Sequence, residues 1–277
     1  MTDDTSPAAS LGLADAAEPA PRRPRRGLAV AAVVLLVLIV LIVIGYFVAE
    51  RMVRDYAETT VRDQVSAGLG LPNGDGVEVD LGGGSLLLQS LSGAIDDARI
   101  NIPALDVEGL RGSAVVTASK VPLDSEQPVG GLAITFAVPE AEVGSLADRF
   151  GGSEVDAVML EGDGIRVATR LTALGVEIPL LVSFAPSAVD GDIVLTPVDV
   201  VAAGQRLTVD ELQAGLFGGL VGTELDAQKF CVASAFPDAL ELVDVRVDGK
   251  QLLLDLDGDG AVLGGDALAA RGVCPAE

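Results

Sequence analysis

The spacing of apolar residues along the chain changes twice, and each regime predicts a different kind of element. From Leu28 to Val48 the sequence LAVAAVVLLVLIVLIVIGYFV carries no charge over 21 residues. A helix rising about 1.5 Å per residue needs roughly 20 apolar residues to cross a hydrocarbon layer of about 30 Å, so this run predicts a single transmembrane helix. Beyond it, Val53, Ala57, Val61, Val65 and Leu69 recur every four residues among charged positions. That spacing places them on one face of an amphipathic helix over residues 50–70, which continues from the span and lays its stripe on the sheet that follows.

From Val77 the period shortens to two, punctuated by Gly, Asp, Asn and Pro, as an antiparallel sheet requires. Extended segments are predicted at 77–81, 94–102, 105–121, 132–138, 157–160, 165–172, 176–187, 192–202, 240–247 and 251–256, with the apolar segment Leu86–Leu91 falling among them. Ile165, Val167, Thr169 and Leu171 alternate with Arg166 and Arg170, so that strand has one apolar and one basic face. Asp190-Gly191 between apolar runs signals a tight hairpin, and Asp248-Gly249-Lys250 signals another. Two helices interrupt the series. Pro139-Glu140 opens one whose Val143, Leu146, Ala147 and Phe150 share a face before Gly151-Gly152 stops it. Thr208-Val209-Asp210-Glu211 forms a capping box for the other, with Leu212, Leu216 and Leu220 as its ridge and Phe217 beside them. The expected fold class is α+β: a transmembrane helix at 28–48 followed by one domain, residues 49–277, in which an antiparallel sheet packs on a few helices.

Charge orients this arrangement. Arg22, Arg23, Arg25 and Arg26 crowd the N-terminal side of the apolar run, whereas Arg51 and Arg54 alone lie close on the other side. The bias predicts a cytoplasmic N-terminus, with residues 1–27 a disordered tail and residues 49–277 extracytoplasmic. A cleaved signal peptide is the competing reading. The run exceeds the usual 7–15 residues of such peptides and lacks a small-x-small site after it, which favours an uncleaved anchor in the cell membrane. Residues 1–27 balance four acids with four arginines, so the whole net charge of -23 belongs to the outer domain. Nucleic acid is excluded as a partner, because no basic cluster exists beyond residue 26 to neutralise phosphates. The same charge repels an anionic bilayer within a Debye length of about 8 Å, so lipid handling would require a tether and an apolar site.

Candidate chemistry is narrowed chiefly by what is missing. The chain has no histidine, which removes Ser-His-Asp and Cys-His catalysis and the usual zinc ligand sets. There is no Gly-x-Ser-x-Gly elbow, and Gly82-Gly83-Gly84-Ser85 lacks the lysine and spacing of a phosphate loop. Asp255-Leu256-Asp257-Gly258-Asp259-Gly260 has carboxylates at calcium-loop spacing but no later glutamate, so it reads as a turn. No catalytic residue, cofactor or metal ligand is assigned. Cys231 and Cys274 lie in the outer domain, where oxidising conditions favour a disulfide; closing that loop stabilises by on the order of 3–4 kcal/mol. Arg166, Arg170, Arg206 and Arg246 are the basic candidates for a headgroup phosphate, each more readily explained as a partner to a nearby acid.

The anchor and following helix, the segment VEVDLGGGSLLLQSLSGAIDDARINIPAL at 77–105, the Pro139-Glu140 helix through AEVGSLADRF, the strands GIRVATRL and DIVLTPVDV, and the closing LELVDVRVDGKQLLLDLDGDG together resemble the LmeA-like phospholipid-binding proteins of the actinobacterial cell envelope. The resemblance covers nearly all of the chain after residue 50. It implies a curved antiparallel sheet similar to tubular lipid-binding folds, with an apolar cleft between sheet and helices for an envelope phospholipid. The helix-borne Val61, Val65, Leu69, Leu146, Phe150, Leu212, Leu216, Phe217 and Leu220 are then the candidate lipid-binding residues. Membrane phospholipid and envelope biosynthetic enzymes are the implied partners, and support of lipoglycan biogenesis the implied role. The abundance of Leu and Val suits acyl chains, although such residues at strand spacing more often form core than ligand wall. Two other readings stay open: an envelope scaffold with no lipid cavity, and a hydrolase working through two facing carboxylates.

Overall fold

The computed structural model describes residues 26–68, 76–107, 109–150, 155–173, 176–202, 204–214, 226–263 and 270–275. Helix α1 (Arg26–Gly68) contains both the apolar run and the amphipathic stretch. By contacts the chain divides into two units, residues 1–48 and 49–277. In the first, every side chain from Val34 to Val48 is exposed, and the helix is long and apolar enough to cross a membrane. Tyr46 and Phe47 meet edge to face, ring centroids 5.8 Å apart, at the end of the run.

The second unit is mostly antiparallel sheet with few helices. Its elements in order are β1 (Glu78–Gly82), α2 (Leu86–Ser92), β2 (Ala94–Val107), β3 (Leu110–Pro122), β4 (Gly131–Pro139), α3 (Glu140–Phe150), β5 (Val155–Glu161), β6 (Gly164–Ala173), β7 (Val176–Val189), β8 (Asp192–Ala202), β9 (Gln205–Thr208), α4 (Val209–Ala214), β10 (Gln228–Phe230), β11 (Glu241–Asp248) and β12 (Gln251–Asp257). The period-two pattern anticipates one antiparallel sheet, and the family resemblance a curved one; the described strands form two. The first runs β1-β2-β3-β4-β12-β11, and the second β10-β8-β7-β6-β5 with β9 against β8. The division falls at α3, which carries the chain out of β4 into the second sheet. The last hairpin then returns, β12 pairing with β4 from Gln251↔Pro139 to Asp257↔Ala133.

Register shows why the core lies between the sheets, because opposed residues on neighbouring strands share a face. In the first sheet Ile102, Ala114, Phe136, Leu254 and Val245 lie in one row across β2, β3, β4, β12 and β11. All are at most 5% exposed and belong to one cluster with Leu160 and Ile165 of the second sheet. A smaller cluster, Val77, Val79, Leu81 and Leu86, is covered by Ala57, Val61 and Val65 of α1, so the amphipathic stripe lies on the sheet as its spacing predicts.

Local signals act as their chemistry requires. Asp190 and Gly191 both take positive φ (54° and 79°) between the paired Val189 and Asp192, the geometry of a two-residue hairpin turn. Thr208 and Glu211 form a reciprocal capping box, Oγ1 accepting from the Glu211 amide at 3.3 Å and Oε2 from the Thr208 amide at 2.9 Å. Two boundaries differ from the pattern. The segment 105–121 is broken by the turn that separates β2 from β3, where Asp106 Oδ1 accepts from the Gly109 amide at 2.6 Å. Leu86–Leu91 is helical, because Ser85 caps its N-terminus and Gly93, with φ 82°, closes its C-terminus. Cys231 and Cys274 are disulfide-bonded, tying the C-terminal segment to the loop before β11.

Candidate functional site

The two faces of the second sheet differ in chemistry. Leu160 opposes Ile165 and Ile165 opposes Phe184; one step along, Val158, Val167, Val182, Val200 and Leu207 are successive partners across β5, β6, β7, β8 and β9. These residues share one apolar face. At the Leu160–Ile165 end it is closed by the main core. Toward the other end Leu180, Val182, Leu207 and Val209 are only half-buried and surround Val200, the single fully buried member of that cluster. Partly covered apolar surface is one physical requirement for holding acyl chains.

The opposite face mixes apolar residues, the paired Ala168, Leu181 and Val201 among them, with charges that pair with one another. Arg170 grips Asp156 with two hydrogen bonds, Nε to Oδ2 at 2.8 Å, and Arg166 pairs with Glu161. Arg206 lies 3.7 Å from Asp199, which also accepts from Ser183 Oγ at 3.2 Å. Lys229 Nζ is 2.9 Å from Asp192, and that hydrogen bond pushes the ammonium pKa up. In the first sheet Arg246 bridges Asp244, at 2.8 Å, and Asp255. All four arginines that the sequence offers for a headgroup thus have carboxylate partners.

Two open concavities lie elsewhere. One, of about 650 Å³, sits on the polar face of the first sheet among Thr117, Ser119, Thr135, Arg246, Asp255 and Asp257. Its acids are held locally: Asp255 accepts from Thr135 Oγ1 at 2.6 Å, and Asp257 Oδ1 accepts from the Asp259 amide at 3.0 Å. Asp259 Oδ1 in turn accepts from the Leu132 amide at 3.3 Å, so the acidic turn braces β4 against the end of β12. The second concavity, of about 360 Å³, runs beside α3 and β5 along Ala141, Gly144 and Val155–Val158. It adjoins Glu140, whose carboxylate accepts from Lys250 Nζ at 2.7 Å and the Leu160 amide at 2.6 Å. The Lys250 hydrogen bond, aided by the Leu160 amide, holds the Glu140 pKa below the usual carboxylate value.

A family model described as LmeA-like phospholipid-binding matches residues 47–257. The chain belongs to this family. The matched segment of this LmeA-like protein begins at Phe47, one residue before the apolar run ends, and closes at Asp257, the last residue of β12. It contains every strand among the described residues and leaves Cys274 outside, so the disulfide staples a tail beyond the matched segment. No curated protein and no solved structure matches the chain.

The sequence-derived candidates fall in different places. Val61 and Val65 are half-buried against Val79, Leu81 and the β1–β2 edge, so their apolar surface has protein partners. Leu146 and Phe150 belong to α3 and Leu212 to α4 by backbone, with side chains outside the description. Leu69, Leu216, Phe217 and Leu220 lie outside the described residues. The half-covered sheet surface around Val200 was not among the sequence-derived candidates. Leu180 and Val182 sit in the run Pro179-Leu180-Leu181-Val182, apolar on both parities, which hides the alternation that Ile165–Leu171 displays.

Proposed function

We propose that this protein is a membrane-anchored phospholipid-binding protein of the cell envelope, holding acyl chains against the apolar face of the second sheet. Residues 28–48 cross the membrane, residues 1–27 are a cytoplasmic tail, and residues 49–277 work outside the cytoplasm. The observation that carries the reading is membership of a phospholipid-binding family across residues 47–257. The half-buried end around Val200 supports the location, since partly covered apolar surface on the second sheet can take up an acyl chain without exposing the rest of the core. Leu180, Val182, Leu207 and Val209 form the floor of a tubular-lipid-binding-like site, and Leu146, Phe150, Leu212, Leu216, Phe217 and Leu220 remain proposed lipid contacts. With the arginines engaged by acids, affinity comes from acyl burial rather than from a headgroup phosphate. The role is binding and presentation of lipid in envelope or lipoglycan biogenesis, with no catalytic step.

The test uses the full chain in vesicles doped with a phospholipid bearing a photoactivatable acyl chain, followed by peptide mapping. Adducts are expected on 180–184 and 200–209, and Val182→Asp is expected to remove most of them while leaving adducts on 28–48. Adducts confined to 28–48 in the parent chain would sink the reading.

A further inference from the structure

Helix α2 buries its long polar side chain and exposes two leucines. Gln89 is 6% exposed, its amide donating to the Gly82 carbonyl at 3.4 Å and its carbonyl accepting from the Asp96 amide at 3.0 Å. Leu88 and Leu91, one turn apart on the opposite side, are 61% and 84% exposed. Leu123, also exposed, joins them at the same corner, because its amide donates to the carbonyl of Gly93, the C-cap of α2, at 2.9 Å. Scattered surface leucines are ordinary. A seven-residue helix that buries Gln89 beside Leu86 yet leaves two leucines outward is not, and such a patch marks an apolar partner.

The surroundings identify that partner. No charged residue occurs between Asp80 and Asp96, in a chain of net charge -23. Glu50, two residues after the apolar run, accepts from the Ser85 hydroxyl at 2.6 Å and from the Leu86 and Leu87 amides at 2.7 and 3.2 Å. Arg54 donates to the Gly84 carbonyl at 2.6 Å and to that of Leu81. Helix α2 is therefore fastened to the first turns of chain beyond Val48. On that same stretch Met52 and Tyr56 are exposed one turn apart, and tyrosine is a residue of membrane interfaces.

We propose that Leu88, Leu91 and Leu123 form a second membrane contact, seated in the headgroup–acyl boundary of the bilayer that Leu28–Val48 crosses. The occupant is the lipid surface itself, and the contact fixes which side of the domain faces it. The inference rests on the anchor reading of 28–48 and is independent of where the bound lipid sits.

The chain has no tryptophan, so single substitutions report without background. Leu88→Trp, Leu91→Trp, Phe47→Trp and the equally exposed control Val273→Trp are made in the full chain and reconstituted in phosphatidylcholine vesicles with brominated acyl chains. The expected result is blue-shifted emission and quenching for Leu88→Trp and Leu91→Trp approaching that of Phe47→Trp, with Val273→Trp unaffected. Quenching of Phe47→Trp alone, with Leu88→Trp and Leu91→Trp no more quenched than Val273→Trp, overturns the contact and leaves the anchor standing. An unquenched Phe47→Trp overturns both.

Discussion

Glu140 heads α3 and joins three elements through one carboxylate, which takes the Lys250 ammonium from the β11–β12 turn and the Leu160 amide from β5. Its pKa is depressed in the folded state, first by the Lys250 hydrogen bond and then by the Leu160 amide. A depressed carboxylate contributes stability that is present above its unfolded pKa and lost as pH falls through the folded one. Glu140→Gln should therefore lower the melting temperature at neutral pH, and the gap from the parent should close on acidification below the ordinary glutamate range; thermal unfolding across a pH series measures it. At Gly112 an added Cβ would sit 2.4 Å from the Ala137 carbonyl oxygen and 2.8 Å from the Phe136 ring, both part of the packed first sheet. Gly112→Ala is expected to destabilise by about 1–3 kcal/mol in urea unfolding, the usual cost of overpacking. Arg166 and Arg170 were readable as one basic strand face. Glu161 and Asp156 were not readable as their partners, because strand register brings them there and no local motif records it.

Among the elements, those set by neighbours in sequence were legible: the Asp190-Gly191 hairpin, the Thr208–Glu211 capping box and the four-residue stripe of α1. Helix α2 was not, since Leu86-Leu87-Leu88 reads equally as a buried strand and only the Ser85 and Gly93 caps with the inward Gln89 decide the outcome. The disulfide joins positions 43 residues apart, and the chain-entropy model assigns such a loop about 4 kcal/mol. Replacing both cysteines with serine should cost that order of stability in denaturant unfolding and leave the strands' amide-exchange protection in place. Protection lost from β11 and β12 as well would mean that the staple holds the sheet and not merely the tail.

For the whole molecule, the two-sheet division separates a closed core from a half-covered apolar end. The main core is closed by rows from both sheets, while the end around Val200 is left half-covered. The charge of -23 gives the domain no electrostatic hold on an anionic bilayer, and the three exposed leucines contribute at most about 4.5–9 kcal/mol before ordering costs. Residues 49–277 released from the anchor should keep the antiparallel sheet signature by circular dichroism yet sediment weakly with phosphatidylglycerol vesicles. Sedimentation equal to that of the full chain would show that the surface contacts suffice without the span.

The amino-acid sequence by itself determined the apolar run, the period-two strands, the turn and cap chemistry and the family, because each depends on residues within a few positions of one another or on the pattern as a whole. The tertiary structure decided the rest: that β12 returns to pair with β4, that the strands part into two sheets, that Val61 and Val65 serve the β1–β2 edge, and that the arginines meet acids. These outcomes depend on which distant strands close on each other. Hydrophobic spacing fixes which side of a strand is apolar, but the partner strand and the helices that reach it fix whether that side is sealed or left open.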